Sequence, residues 1–216
     1  MNGLSRNKLP SFIGLIALIL VSINGLSQKP DAELIQETKD FQIDQDAHYT
    51  NRKTSPLPRK ERRNFHGHQF YPIDLSYIVE AQFSRIEEED TLELLSSSGS
   101  TKLYRPYATL NFTINGVACE LTALQSIKLR EIDEYKNYLF LPFRDATSGK
   151  SSYGGGRYLD FEIPSENTIT LNFNLAYNPY CAYTSNYNCT IPPKENTLTV
   201  AVRAGLKAPA DHRIGG

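Results

Sequence analysis

The sequence has no tryptophan, only three cysteines in 216 residues, and almost no net charge (−1). Near-neutrality argues against the basic surface of a nucleic-acid-binding domain. An odd cysteine count leaves at least one thiol unpaired within a monomer. No H-E-x-x-H, G-x-S-x-G or complete G-x-x-x-x-G-K-[ST] occurs (Gly149-Lys150-Ser151 lacks the glycine five residues earlier, where Arg144 stands), so the sequence signals of a zincin, a nucleophile elbow and a phosphate-binding P-loop are all missing. No repeat of fixed period is found, and the only low-complexity block is the Ser-rich turn at 96–100.

Long apolar runs are also scarce. Residues 12–23 are apolar except for Gly14 and Ser22, and fall short of the ~20 residues that span a bilayer. Arg6 and Lys8 precede this run, and Gly25 and Ser27 sit at the −3 and −1 positions of a cut before Gln28. That pattern predicts a secretory signal peptide over 1–27. No cysteine stands at the cut, which argues against a lipid anchor. The expectation is an exported protein, periplasmic or extracellular, with no stable membrane span after cleavage. Losing Arg6 and Lys8 leaves 21 basic residues against 24 acidic ones, a net charge of −3.

Residues 28–64 are predicted to be an N-terminal helix and a basic linker. Leu34, Ile35, Thr38 and Phe41 fall on one face at helical spacing, with Asp31 as a candidate N-cap. Residues 51–64 hold two prolines and six Lys or Arg and read as a solvated linker. His66 and His68 follow as an H-x-H pair, a weak metal signal when alone. No metal or cofactor is expected.

From residue 71 the period is two. Residues 77–84 alternate, 91–95 form a short run, and 107–114 and 117–124 flank Asn115-Gly116, the signature of a type I′ hairpin. Further strands are predicted at 136–142, 157–163, 168–173 and 197–204, with a turn at 164–167 suggesting a hairpin. Residues 191–196 read as an extended strap and 208–216 as a flexible tail. The fold expected for 65–207 is mainly β, an antiparallel β-sandwich or partly open barrel carrying an N-terminal amphipathic helix.

Glycine, Asp, Asn, Arg and Tyr crowd together over 141–183, so a site is expected there. Asp145 and Thr147 are suited to a local turn or to presenting a carboxylate and a hydroxyl to a ligand. The triple glycine at 154–156 precedes a strand rather than a helix, which disfavours phosphate binding. Arg157 is a partner for Asp145 or for a ligand anion. Tyr153, Asn174, Tyr177, Asn178 and Tyr183 complete the candidate ligand-binding set. The same groups also suit a buried network that pins two loops. Cys181 and Cys189 are a candidate disulfide, with zinc shared with His66 and His68 as the alternative. Cys119 reads as a buried apolar residue.

LPFRDATSGKSSYGGGRYLDF, LNFNLAYNPYCAY, CTIPPKEN and AVRAGLK resemble the DUF1684 family of bacterial and archaeal proteins over about residues 32–207. The matching positions are Asp145, Thr147, Gly149, Tyr153, Gly156, Arg157, Asn174, Tyr177, Asn178, Cys181 and Cys189. The resemblance implies a shared fold and brings no established catalytic residue. It implies departures at Asn172 and Leu206, where relatives usually carry Asp and Glu. Three functions stay open: binding a polar small molecule or glycan through the 143–183 loops, hydrolysis using Asp145 and Arg157, and a structural or envelope-interaction role.

Overall fold

A computed structural model describes residues 29–88, 90–185 and 187–209. The expected signal peptide and residues 210–216 of the expected tail lie outside the described residues.

Seven strands form one antiparallel sheet: β1 (Ile78–Arg85), β2 (Leu92–Leu95), β3 (Thr101–Ile114), β4 (Val117–Ser126), β5 (Tyr138–Phe143), β6 (Arg157–Glu162) and β7 (Thr168–Asn172). Their order is β6-β5-β4-β3-β1-β7, with β2 added on β3. The β3–β4 hairpin forms as expected, with Ile114 opposite Val117. Asn115 (φ 50°) and Gly116 (φ 79°) occupy the left-handed region its tight turn requires. Pro106 sits at a register shift, where a missing N–H is tolerated.

The two end strands show how the sheet is shaped. β6 and β7 are joined by residues 163–167 only, a link that spans no more than about 20 Å. A flat sheet of six strands holds its edges about 24 Å apart. The sheet therefore curls into a half-barrel, and one cleft is lined by both β6 and β7. The expected 157–173 hairpin does not form, because β6 pairs β5 and β7 pairs β1. There is no second sheet among the described residues, so the sandwich alternative gives way to the half-barrel.

Alternation splits strands β3 to β6 between two cores. Leu110, Leu121, Leu139, Leu141 and Leu159 pack on one face. Tyr104, Leu124, Phe140 and Tyr158 pack on the other. Residues 197–204 do not join the sheet; instead Leu198, Val202 and Ala204 are buried against the first core. The strand expected there is an extended strap: its alternation reflects burial of one side, and in place of a sheet ladder it makes one isolated bridge, Arg144–Thr197, with backbone hydrogen bonds to Arg144 and Ala146. A 3-10 turn, Lys194–Asn196, precedes it.

Helix α1 (Asp31–Thr50) has Pro30 at its N-cap, so Asp31 begins the helix rather than capping it. The apolar stripe is thin: Leu34, Ile35 and Phe41 are half-buried, and only Thr38 and Tyr49 are buried. The helix is therefore held at points rather than along an amphipathic face. The Asn172 side-chain amide donates to Thr38 Oγ1 (3.2 Å), and Tyr49 is surrounded by Phe65, His68 and Tyr183. The expected linker contains a short helix, α2 (Arg59–Arg63), with no buried residue. Order also continues past Gly205. Leu206 is buried, and the backbone amides of Lys207 and Ala208 bond to Gln69 and Ser151.

Candidate functional site

The predicted residues do not converge on one pocket. Asp145, Thr147 and Arg157 form a buried network. Asp145 is 5% exposed and Arg157 1%. Asp145 Oδ2 accepts from Arg157 Nη2 (3.3 Å) and the Val202 amide (2.6 Å). Its Oδ1 accepts from the Thr147 hydroxyl (2.8 Å) and amide (3.2 Å) and from the Ser148 hydroxyl (3.2 Å). Arg157 also donates to the carbonyls of Val202 (2.8 Å), Ala204 and Leu206. Burial pushes its pKa down and Asp145 opposes that shift. The pair sews the 198–206 strap to the loop after β5. An acid and an oxyanion donor must touch substrate, and these two are enclosed by their own partners, so they supply neither role.

Gly156 belongs to the same structural unit. Its φ is +93°, and a Cβ there would lie 2.7 Å from the Phe143 carbonyl and 2.6 Å from Pro192. The triple glycine thus serves close packing of backbone, not a phosphate. Tyr153 is half-buried beside Gly155.

The remaining candidates scatter. Asn174 is buried, accepting from the Asp74 amide (3.0 Å) and donating to the Asp74 carbonyl (3.0 Å), so it pins the segment before β1. Asn178 donates to the Lys207 carbonyl (2.8 Å) and to the Tyr183 hydroxyl (3.1 Å). Tyr183 packs in the aromatic cluster at the end of α1. Cys181 and Cys189 are joined as a disulfide and Cys119 is free. Cys119 is half-buried rather than buried. His66 is exposed and His68 is half-buried, its Nδ1 2.7 Å from Asp46. The disulfide takes both sulfurs, so the zinc alternative has no thiolates. Among the described residues no three His, Cys, Asp or Glu side chains converge as a metal set.

Two of the predicted ligand-binding residues line open clefts: Tyr183 borders one of about 780 Å³ with Phe65, His66 and His68, and Tyr177 borders another that holds a carboxylate. On the second face of the half-barrel lies a cleft of about 690 Å³. The alternation that buries Leu139 and Leu159 in the first core puts Tyr138, Phe140, Tyr158 and Asp160 on this side. Register sets Phe140 opposite Asp160, which leaves Tyr138 diagonal to it and within reach. The backbones of Tyr158 and Tyr177 pair through two hydrogen bonds (2.9 and 3.0 Å), bringing Tyr177 to the other side of Asp160.

The result is one carboxylate held by two phenols. Tyr138 donates to Asp160 Oδ1 and Tyr177 to Oδ2, both at 2.6 Å. An aromatic ladder leads to them: Tyr104 stacks on Phe140 (5.7 Å), Phe140 meets Tyr158 edge-on (4.7 Å), and Tyr158 meets Tyr177 edge-on (5.7 Å). Asp160 is exposed to the cleft, with the rings packed close enough to remove part of its hydration. Desolvation raises its pKa, and the two tyrosine hydrogen bonds oppose the rise. Desolvation, then the Asp160 charge, pushes Tyr138 and Tyr177 up, so both remain protonated donors at neutral pH.

The rim comes from α1 and the disulfide loop. Phe41, Asp44 and His48 line it from α1, and Tyr180, Tyr187 and Asn188 from the loop. His48 Nε2 and the Tyr180 hydroxyl are hydrogen-bonded at 3.0 Å across this rim. A second cleft of about 520 Å³, between β6 and β7, shares Leu159, Asp160 and Leu175 with the first. Sequence reasoning missed Asp160, Tyr138, Tyr104 and Tyr158. The available signal was the alternation in Arg157-Tyr158-Leu159-Asp160, which sets a carboxylate on the face opposite Leu159.

The search among curated proteins found no match. Among solved structures the chain is similar to the solution NMR structure of an uncharacterized protein from Haloarcula marismortui. The two share 33% identity over 84% of this chain and 97% of that one, with a TM-score of 0.64. The family described as "Protein of unknown function (DUF1684)" matches residues 63–207. Identity at that level over nearly the whole archaeal chain, with the family match across the half-barrel, establishes that this chain belongs to the DUF1684 family.

Proposed function

We propose that the protein is an exported binding protein that takes a polar small molecule in the tyrosine cleft. The observation that carries this reading is Asp160. A solvent-reachable carboxylate held between two phenol donors in an aromatic-lined cleft has the mix of apolar wall and few polar groups that ligand sites show. Asp160, Tyr158 and Tyr177 of the proposed site fall inside the 143–183 stretch, whereas Tyr104, Tyr138 and Phe140 fall outside it. The residues of the site change, from the Asp145 loop to the cleft face of β6. The hydrolase reading loses support, because Asp145 and Arg157 are enclosed.

The apolar run at 12–23 and the Cys181–Cys189 disulfide both support export. N-terminal sequencing of the chain recovered from a bacterial host's envelope fraction tests this, with Gln28 as the expected first residue. Among the described residues no helix is long and apolar enough to cross a membrane.

The binding test is a thermal-shift screen of the mature chain against polar metabolites and oligosaccharides. A stabilising ligand is expected, with its shift lost in Asp160→Asn and reduced in Tyr177→Phe. A screen in which no compound stabilises the protein, or in which both variants respond like the wild type, counts against the cleft.

A further inference from the structure

We propose that the group recognised at Asp160 is cationic, the ammonium of an amine-bearing small molecule. This rests on the cleft being the binding site and names the class of its ligand.

The first argument is charge. Among the described residues no Lys, Arg or His nitrogen lies within ion-pair distance of Asp160; its partners are the two phenols. Neutral donors satisfy lone pairs and leave the net charge in place. A carboxylate lined by rings and without a cation is a site whose electrostatics a bound cation completes. A ligand phosphate or carboxylate in the same place meets repulsion from Asp160.

The second argument is the walls. Tyr177, Tyr158 and Phe140 continue from Asp160 as a ladder of rings, and the faces of aromatic rings attract ammonium groups. Anion plus aromatic surface is the pairing that amine sites use. A neutral sugar also stacks on rings, but gains nothing from the uncompensated charge.

The third argument is the placing of the basic groups that do line the cleft. Lys102 donates Nζ to the Asn188 carbonyl (2.6 Å). It sits on β3, and the register Asp160–Phe140–Leu124–Pro106 puts β3 three strands from β6, about 14 Å across the sheet. His48 is engaged with Tyr180. Neither neutralises Asp160, so the β6 end of the cleft remains the anionic one.

The test is calorimetric titration of the mature chain at low salt with choline, spermidine and neutral maltotriose. At least one of the two amines is expected to bind. Asp160→Asn, which keeps the side-chain shape, is expected to weaken that binding about 10- to 100-fold. Glu120→Gln, which removes one exposed charge from β4, is expected to leave it unchanged. The affinity is also expected to fall on acidification as Asp160 is protonated. Failure of both amines to bind overturns the inference, as does amine binding that Asp160→Asn does not weaken. If maltotriose binds instead and tracks the cleft variants, the cleft reading stands and only the cationic class is lost. If all three are silent and the wider screen is also empty, both are lost.

Discussion

Asp145→Ala is the sharpest test of the buried network. The substitution leaves the Arg157 guanidinium, 1% exposed, without its anion. It also removes the acceptor for the Val202 and Thr147 amides. Breaking a buried pair from one side costs about 3–5 kcal/mol, chiefly because the surviving charge stays buried. Unfolding a domain of this size carries roughly 0.4 kcal/mol per degree of entropy, so the melting temperature falls by about 8–13 °C. Total stability of a domain is about 5–15 kcal/mol, so the variant folds at low temperature and can be measured. The assay is circular-dichroism melting of wild type, Asp145→Ala, Arg157→Met and the double variant. The double variant is expected to lose less than the sum of the singles, since it leaves no unpaired charge. A single-variant drop of under about 3 °C, on that same scale, refutes the claim that this pair fastens the strap. So does altered ligand affinity in a variant that remains folded.

Further expectations follow from the same geometry. Reducing the Cys181–Cys189 disulfide opens a short loop at the cleft rim; the chain-entropy account gives a loss of about 2–3 kcal/mol, read as a lower melting temperature in reductant. Before reduction, the denatured chain is expected to alkylate at Cys119 alone. Gly156→Ala sets a Cβ against the Phe143 carbonyl at positive φ and is expected to cost about 2 kcal/mol or more in urea unfolding. His68 has a side chain only 1% exposed, and burial lowers its pKa from the ordinary 6.5 against the pull of Asp46. The unfolded chain therefore binds the proton more readily, and stability falls as pH drops below 6.5 towards the folded value. His68→Phe is expected to flatten that part of the stability profile; an unchanged slope shows that His68 is not its source.

Local patterns were legible in the sequence where neighbours alone decide the structure. Asn115-Gly116 fixed a hairpin because two left-handed residues suit one turn. The alternation at 197–204 correctly marked which side is buried, since Leu198 and Val202 are core residues. It could not tell a strand from a strap, because ladder partners are a tertiary property. The β6–β7 hairpin failed for the same reason: a short turn is compatible with two strands pairing or with two edges of a curled sheet. The polar density of 141–183 was real, but a buried network and a ligand site share a composition. Asp145 and Arg157 went inward because the strap offers them three carbonyls and an amide. Asp160 was not legible because Phe140, Tyr138 and Tyr177 are set around it by register and by the Tyr158–Tyr177 bridge, both tertiary properties.

The most direct test of the account is chemical-shift mapping of the mature, isotope-labelled chain with the first ligand that stabilises it. The account predicts shifts at Asp160, Tyr138, Tyr177 and the 187–190 segment, with the Asp145 loop and residues 202–206 unmoved. Shifts centred on Asp145, Thr147 and Arg157, with Asp160 and its two tyrosines silent, contradict it.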